Sequence, residues 1–430
     1  MTASTVLPIE SASQFDGTSS FTTFFGDGGD DAFHSGRGPL SRSTGGLIPE
    51  GFPHSGLRDY TVVNDNIITK KEVKQAYNAW TDALVSISQT YAEDGLIGAE
   101  KLARKVIRDA YGYNLGAVAF KPTWGEAMTS FRPTREGALS YFVGGNNAYD
   151  DLGFGIGTHP PNSDCITGER SPWVKAKFYP SVIRLDGDTA TTQGFLHTFG
   201  KDGYHGFVDK TFAYQKDDNG DLRLIAHHSS ANFDPSFKAE DLDKPKVEVV
   251  KLEDFKLDNT ITLDDVEMAQ DRWMGALVSI SQTNKNEGYD KAVEESSAVI
   301  DLAYGYQYGA VAFKPTWTTG NTTFRPDKEG AMSYFMGDIN NEKYPYDIGF
   351  AKGSNNKGKK RSPWEFAWYE NSVVRLNGDT ATTMGWVYFQ DEAGDISTVD
   401  KTFEFKKDDD GEIKIVTHHS SSQYKSACED

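Results

Sequence analysis

The sequence contains few of the residues that crosslink a chain or bind zinc through sulfur. Its only two cysteines, Cys165 and Cys428, do not occupy matching places in the repeat described below. A disulfide framework is therefore excluded as a source of stability. Neither HExxH nor CxxC spacing occurs, so no local motif predicts a metal site.

Long apolar runs and positive charge are also scarce. No apolar stretch reaches the ~18 residues that a transmembrane helix needs, so we expect no membrane span. The N-terminal stretch MTASTVLPIESASQF lacks the basic and apolar regions of a targeting peptide. The net charge of -19 would repel nucleic acids and anionic membranes, so we predict neither as a partner. The 37% hydrophobic content is still sufficient for packed cores.

The dominant feature of the sequence is an internal repeat. The segment ALVSISQT begins at Ala83 and again at Ala276, and GAVAFKPTW begins at Gly116 and again at Gly309. GDTATT, VDKTF and a closing HHSS also occur twice, in the same order. Such long units indicate a duplicated domain rather than a short solenoid repeat. We predict a flexible N-terminal arm (1–58), a first copy (59–232), a linker (233–258) that could add a strand, and a second copy (259–426).

Hydrophobic periodicity predicts the same elements in each copy. Apolar residues spaced by three and four after Thr69 predict an opening helix that begins with a capping box, and a second helix follows at about 99–111. From residue 116 the period changes to two, which predicts strands, including one at EGALSYFVG (136–144). Helices followed by an antiparallel meander indicate an α+β domain. We expect a curved sheet wrapped on the N-terminal helix as a cone, with a pocket between them.

The closing strand presents its residues to two faces of the sheet. Strict alternation places Leu224, Ala226, His228 and Ser230 on one face, and Arg223 among the residues on the other. We expect Arg223, and Lys414 in the second copy, to reach water. The pocket would then receive His228 with Ser230, and His419 with Ser421, unless a bulge near the strand end exchanges the faces.

Several short segments carry a family resemblance. The element order resembles the nuclear-transport-factor-2-like (NTF2-like) cone fold, and more narrowly the association domain of calcium/calmodulin-dependent kinase II. The segments KPT, SYF and HHSS, each present twice in one order, resemble the iota-class carbonic anhydrases. The resemblance covers both copies and leaves out the arm. The sequence departs from the family pattern at Ala226 and Thr417, where a further His is often found.

The resemblance implies an activity and a set of site residues. It implies interconversion of carbon dioxide and bicarbonate without a metal ion or other cofactor, at one pocket per copy. It also implies a plastid location, an internal pseudo-dimer of the two copies, and association of chains into homo-oligomers. The hydroxyl residues would orient water and bind bicarbonate, and the His, or a Tyr–Ser–water relay ending at it, would accept the proton. The implied residues are Thr123, Tyr141, His228 and Ser230 in the first copy, and Thr316, Tyr334, His419 and Ser421 in the second.

Two other functions fit the same fold. The kinase association domain oligomerises without catalysis, so a binding or assembly module is the main alternative. Cone folds also host isomerases and dehydratases of small molecules, because fold alone does not determine function. A small polar pocket would favour the anhydrase, whereas a large apolar pocket would favour these enzymes.

Overall fold

The structure is a computed structural model that describes residues 67–125, 129–145, 152–158, 170–233, 248–251, 260–337, 339, 342–355 and 361–423. The predicted N-terminal arm, most of the predicted linker and both cysteines lie outside these residues. No helix in the described ranges is long and apolar enough to cross a membrane.

The first copy is a six-stranded sheet with two helices. Helix α1 (Lys70–Ala110) begins with the expected capping box of Thr69 and Glu72 and bends at Gly95, whose φ is 72°. Only the first and last strand pairings of the sheet are parallel, and the sheet order is β1-β5-β4-β3-β2-β6. The other elements are β1 (Ala119–Lys121), α2 (Arg135–Val143), β2 (Trp173–Asp186), β3 (Thr189–Gly200), β4 (His205–Lys216), β5 (Leu222–Ser230) and the linker strand β6 (Glu248–Lys251).

The second copy repeats this arrangement with five strands in the order β7-β11-β10-β9-β8. Its opening helix is divided into two where α1 only bends. The elements are α3 (Leu263–Asn286), α4 (Tyr289–Ala303), β7 (Ala312–Lys314), α5 (Lys328–Met336), β8 (Trp364–Asn377), β9 (Thr380–Asp391), β10 (Ile396–Lys407) and β11 (Ile413–Ser422). The predicted tandem α+β cone is confirmed.

One predicted strand is wrong. The segment 136–144 lies mostly in helix α2, and Thr134 caps this helix by accepting a hydrogen bond from the backbone N–H of Gly137. Every residue from Gly137 to Val143 is buried. A helix that is buried all round has no polar face, so its sequence carries no period of 3.6. Tyr141 is therefore presented by a helix.

The closing strand β5 contains a bulge that sequence alternation does not reveal. Tyr214 pairs with Leu224 and Ala213 pairs with Ala226, so Ile225 has no partner on β4. The extra residue reverses the alternation for the rest of the strand. In β11 the unpaired residue is Val416, because Phe405 pairs with Ile415 and Glu404 pairs with Thr417.

The bulge corrects two expectations about β5. Leu224 packs in the core of the cone, while Ala226 packs in a separate cluster between the two sheets. His227 and Ser229 therefore face the cone, and His228 and Ser230 face away from it. Arg223 does not reach water either, because it is 6% exposed and pairs with two carboxylates on the β4–β5 turn, Asp217 at 2.9 Å and Asp221 at 3.2 Å. Lys414 is equally buried and donates to the backbone oxygen of Leu302.

The buried cluster at Arg223 gives a stability prediction. Arg223→Leu leaves Asp217 and Asp221 buried without their cation, so we expect it to lower the free energy of unfolding by about 3 kcal/mol. Arg104→Leu is the control, since Arg104 is half exposed where it meets Glu100 and Glu136. The control should cost less than ~1 kcal/mol. Urea unfolding measures both, and equal losses would contradict the assigned role of Arg223.

Candidate active site

A chain of polar groups crosses the interior of the first cone. The indole N–H of Trp80 donates to the hydroxyl of Tyr111 at 3.0 Å. This hydroxyl lies 2.9 Å from Nδ1 of His227, and Nε2 of the same ring lies 2.7 Å from Nζ of Lys210. Helix α1, its C-cap, β5 and β4 each supply one of these four residues. All four residues are buried.

The second cone contains the same chain. Trp273 donates to Tyr304 at 3.0 Å, the hydroxyl of Tyr304 lies 2.9 Å from Nδ1 of His418, and Nε2 of His418 lies 2.8 Å from Nζ of Lys401. The agreement of every distance to within 0.1 Å shows that the duplication has kept the arrangement as a unit.

A pair of hydroxyls lies on the same side of the sheet. Thr123 Oγ1 and Ser229 Oγ are 2.5 Å apart, and Thr316 Oγ1 and Ser420 Oγ are also 2.5 Å apart. In the second copy the hydroxyl of Tyr334 is hydrogen-bonded to Thr316 as well. Within a Thr–Ser pair only one hydrogen is used, so the pair can still donate one hydrogen bond and accept others. A donor and acceptors so close together can bind a water molecule and an oxyanion.

Aromatic rings enclose these polar groups. Phe120 stacks on His227 with ring centroids 4.4 Å apart, and Tyr141 stacks on Phe154 at 5.5 Å. Lys210 Nζ lies 4.6 Å from the centroid of the Trp80 ring. Burial in this apolar surrounding lowers the pKa of His227 and the pKa of Lys210 well below their ordinary values, because desolvation disfavours the charged forms. The pKa of Tyr111 is raised for the same reason.

The structure places the predicted site residues in two different locations. Thr123 and Tyr141, with Thr316 and Tyr334 in the second copy, lie in the cones as expected. The expectation that the cone also receives His228 with Ser230, and His419 with Ser421, is wrong, because the bulges turn these side chains to the other face. The side chains that occupy the cone positions are His227 with Ser229 and His418 with Ser420.

The displaced residues instead connect the two copies. The rings of His228 and His419 stack face to face, with centroids 3.7 Å apart and planes inclined by 5°. His228 meets Thr402 at 2.8 Å and Ser421 at 3.0 Å. His419 meets Thr211 at 2.8 Å and Ser230 at 2.9 Å. The two sheets therefore pack against each other through a hydrogen-bonded polar layer.

Four residues of these chains, Lys210, Lys401, Trp80 and Trp273, are not among the site residues predicted from the sequence. A signal was present, since both lysines lie in the repeated VDKTF segment. A lysine that is kept at the same place in both copies of a strand is a candidate for a role that the copies share. That His227 and Ser229 face the cone could not be predicted in this way, because a single sequence does not reveal a β-bulge.

Whether the site could bind a metal ion depends on which of its nitrogen and oxygen atoms are available as ligands. Both ring nitrogens of His227 are already engaged, Nδ1 by Tyr111 and Nε2 by Lys210. A ring whose two nitrogens are hydrogen-bonded offers no lone pair to a metal ion. Within the described ranges, no group of three or more His, Cys, Asp or Glu residues is arranged to hold a metal.

The four buried histidines give a prediction about pH. In the unfolded chain each would titrate near ~6.5, whereas burial lowers the pKa values of His227, His228, His418 and His419 in the fold. Below pH ~6.5 only the unfolded state binds these protons, so stability falls with pH by up to about 1.4 kcal/mol per pH unit for each histidine.

The double variant His228→Asn/His419→Asn isolates this effect. We expect its free energy of unfolding to fall less steeply than that of the wild type between pH 7 and pH 5.5, by up to about 3 kcal/mol per pH unit. Urea unfolding at several pH values measures both slopes, and their difference removes the contribution of carboxyl groups. Equal slopes would show that these rings titrate normally in the fold.

Comparisons with known proteins agree with this architecture. The family profile described as metal-independent carbonic anhydrase matches residues 71–231 and 264–422. A metal-independent carbonic anhydrase of Nostoc sp. (strain PCC 7120) is 43% identical over 175 residues, which are 40% of this chain and 78% of the relative. The crystal structure of an iota-carbonic anhydrase from a cyanobacterium, complexed with bicarbonate, is 42% identical; the match covers 41% of this chain and 100% of that one, with a TM-score of 0.37.

A more distant solved structure is a putative calcium/calmodulin-dependent protein kinase II association domain from Xanthomonas campestris. It is 23% identical, the match covers 39% of this chain and 89% of that one, and the TM-score is 0.24. The family profile matches both copies and more than half of the chain, so the predicted family and enzyme class are confirmed. The chain belongs to the metal-independent carbonic anhydrase family.

Proposed function

We propose that each cone interconverts carbon dioxide and bicarbonate at its own pocket. The proposed site is Thr123, Tyr141, His227 and Ser229 in the first copy, and Thr316, Tyr334, His418 and Ser420 in the second. The observation that carries this proposal is the Thr–Ser hydroxyl pair at 2.5 Å, which recurs in both cones beside a histidine that makes the same two contacts. The relative from a cyanobacterium with bicarbonate bound supports the choice of substrate.

The hydroxyl pair supplies orientation in place of a metal ion. Hydration of carbon dioxide needs a water oxygen directed at the carbon, and an acceptor for the proton that the water loses. A Thr–Ser pair that shares one hydrogen bond can accept from the water and donate to a bicarbonate oxygen at the same time. Fixed donors in a dry site stabilise developing negative charge by about 3 kcal/mol each. Holding the water in place lowers the barrier further by removing an entropy cost.

The aromatic walls make these few polar groups effective. The rings of Phe120 and Phe154 pack against the polar chain, so bulk water does not compete with its hydrogen bonds. The effective dielectric constant of such a site is low, and each remaining electrostatic contact is correspondingly stronger. A three-atom apolar substrate also enters an apolar site without losing strong hydration.

The assembly function stays as the alternative. The layer at His228 and His419 explains how the copies adhere, and it needs nothing from the cone interior. The buried chains of Trp, Tyr, His and Lys in the cones have no role in an adhesion module. Association of whole chains and a plastid location remain predictions from the family resemblance.

The proposal predicts which serine matters. Ser229→Ala/Ser420→Ala should reduce carbon dioxide hydration at least about 100-fold, because it removes half of each hydroxyl pair. Ser230→Ala/Ser421→Ala is the matched variant on the same strands, one residue along, and should retain most of the activity. A stopped-flow hydration assay in excess chelator measures both. If only Ser230→Ala/Ser421→Ala lost activity, the catalytic serines would be the ones predicted from strict strand alternation. An inactive wild type would favour the assembly module.

A second prediction concerns the number of working pockets. Each cone contains a complete set, so Ser229→Ala alone and Ser420→Ala alone should each retain about half of the wild-type kcat, with the rate of the double variant far below both. The KM of the remaining pocket should stay near that of the wild type. One single variant with full activity and the other with none would show that only one copy is catalytic.

A further inference from the structure

Two lysines in the cones lack the partner that a buried ammonium group ordinarily has. Lys210 and Lys401 are fully buried, and no ion pair joins either of them to a carboxylate among the described residues. The lysines on the other face of the sheets differ. Lys121 lies 3.4 Å from Asp400, and Lys314 lies 3.3 Å from Asp209. The fold therefore neutralises the lysines between its sheets and leaves those inside its cones unpaired.

Hydrogen-bond accounting indicates the protonation state of the cone lysines. An indole nitrogen can only donate, so the oxygen of Tyr111 accepts from Trp80. The hydroxyl hydrogen of Tyr111 is then free to donate to Nδ1 of His227, which leaves the hydrogen of the neutral ring on Nε2. That N–H is directed at Lys210 Nζ, and only an uncharged amine can accept it. The same reasoning applies to Trp273, Tyr304, His418 and Lys401.

The surroundings of each lysine favour the uncharged amine, but an anion nearby would favour the ammonium form. Removing an ammonium group from water costs several kcal/mol, whereas an aromatic face such as that of Trp80 returns only about 2 kcal/mol. Without an anion nearby, these surroundings thus favour the free amine. An anion beside the amine would reverse the balance, because it supplies the missing opposite charge. The titratable groups around Lys210 are His227 and Tyr111, and Lys121 contributes charge from the far side of the sheet.

The amine also lies next to the hydroxyl pair. Lys210 is the cross-strand partner of Ser229, and Lys401 is the partner of Ser420. Side chains directly opposite each other on one face of an antiparallel pair have Cβ atoms about 5 Å apart. The residue on the other side of each lysine is a glycine, Gly194 or Gly385, so no side chain intervenes there.

We infer that Lys210 and Lys401 are uncharged amines before bicarbonate forms, and that each takes up the proton released when it forms. This inference rests on the proposed function. The new C–O bond joins the water oxygen to the carbon of carbon dioxide, one O–H bond of the water breaks, and its proton ends on the lysine. Nζ forms a new N–H bond with this proton and donates as an ammonium group to a bicarbonate oxygen, while His227 and Tyr111, or His418 and Tyr304, keep their own hydrogens. Bicarbonate is thereby formed beside an ammonium group, which releases the proton to buffer before the next cycle.

The protonation state can be read without any activity measurement. The full chain labelled with nitrogen-15 in lysine should show two Nζ resonances in the position of neutral amines at pH 7. Lys210→Met and Lys401→Met should each remove one of them. Saturating bicarbonate should move both resonances to the position of ammonium groups. Ammonium resonances in the bicarbonate-free chain, or neutral ones that persist while carbon-13 bicarbonate binds, would overturn the inference.

The kinetics of lysine variants test the role of these amines as proton acceptors independently. Lys210→Met/Lys401→Met should lower kcat for hydration about 100-fold or more and abolish the loss of rate on the acid side of the pH profile. That loss arises in the wild type because the amine must be uncharged to accept a proton. Lys210→Arg/Lys401→Arg should not restore the rate, since guanidinium stays charged. Full activity in the Met variants would overturn the proton-acceptor role. A wild type that is inactive, yet shows the neutral resonances and their shift, would reject the proposed reaction and leave the lysine assignment standing.

Discussion

The unpaired residue in each closing strand determines what the rest of the molecule does. A β-strand assigns successive side chains to opposite faces, and a single extra residue reverses that assignment for everything after it. In β5 and β11 the reversal comes just before the two histidines, so the first ring of each pair enters a cone and the second enters the layer between the sheets. One HHSS segment thereby serves two separate polar networks, each of which requires a His and a Ser at alternate positions.

Both networks follow the same rule about buried polar groups. Inside the cones, the Trp, Tyr and His donors of the Trp–Tyr–His–Lys chain each meet an acceptor, and between the sheets each ring nitrogen of His228 and His419 meets a hydroxyl. A half-satisfied network would cost more than an apolar core. The networks differ in charge. The layer between the sheets pairs Lys121 with Asp400 and Lys314 with Asp209, whereas Lys210 and Lys401 form no ion pair with a carboxylate among the described residues. An amine that can gain a positive charge beside the hydroxyl pair suits an anionic product.

Most of the fold could be predicted from the sequence, because its signals were periodic or repeated. The capping box at Thr69, the apolar stripe of the opening helix and the turns between strands all depend on local chemistry, and the repeat identified the second copy. Helix α2 was missed because burial on all sides removes the polar positions that reveal a period. At the site, Thr123 and Tyr141 were located by family resemblance. The choice between His227 and His228 could not be made, since it depends on one bulge that is fixed by tertiary packing. Lys210 was overlooked because lysine is usually exposed, although its recurrence in both copies of VDKTF indicated a shared role.

The exchange of partners between the sheets makes each copy depend on the other. Asp209 of the first copy is neutralised by Lys314 of the second, and Asp400 of the second by Lys121 of the first. Either half, separated from its sibling, would expose an unmatched carboxylate, an unmatched amine and a bare imidazole face. A single copy would therefore need a second one to cover that surface. The covalent link between the copies makes this contact permanent, so a substitution at Asp209 or Lys314 affects both halves of the chain.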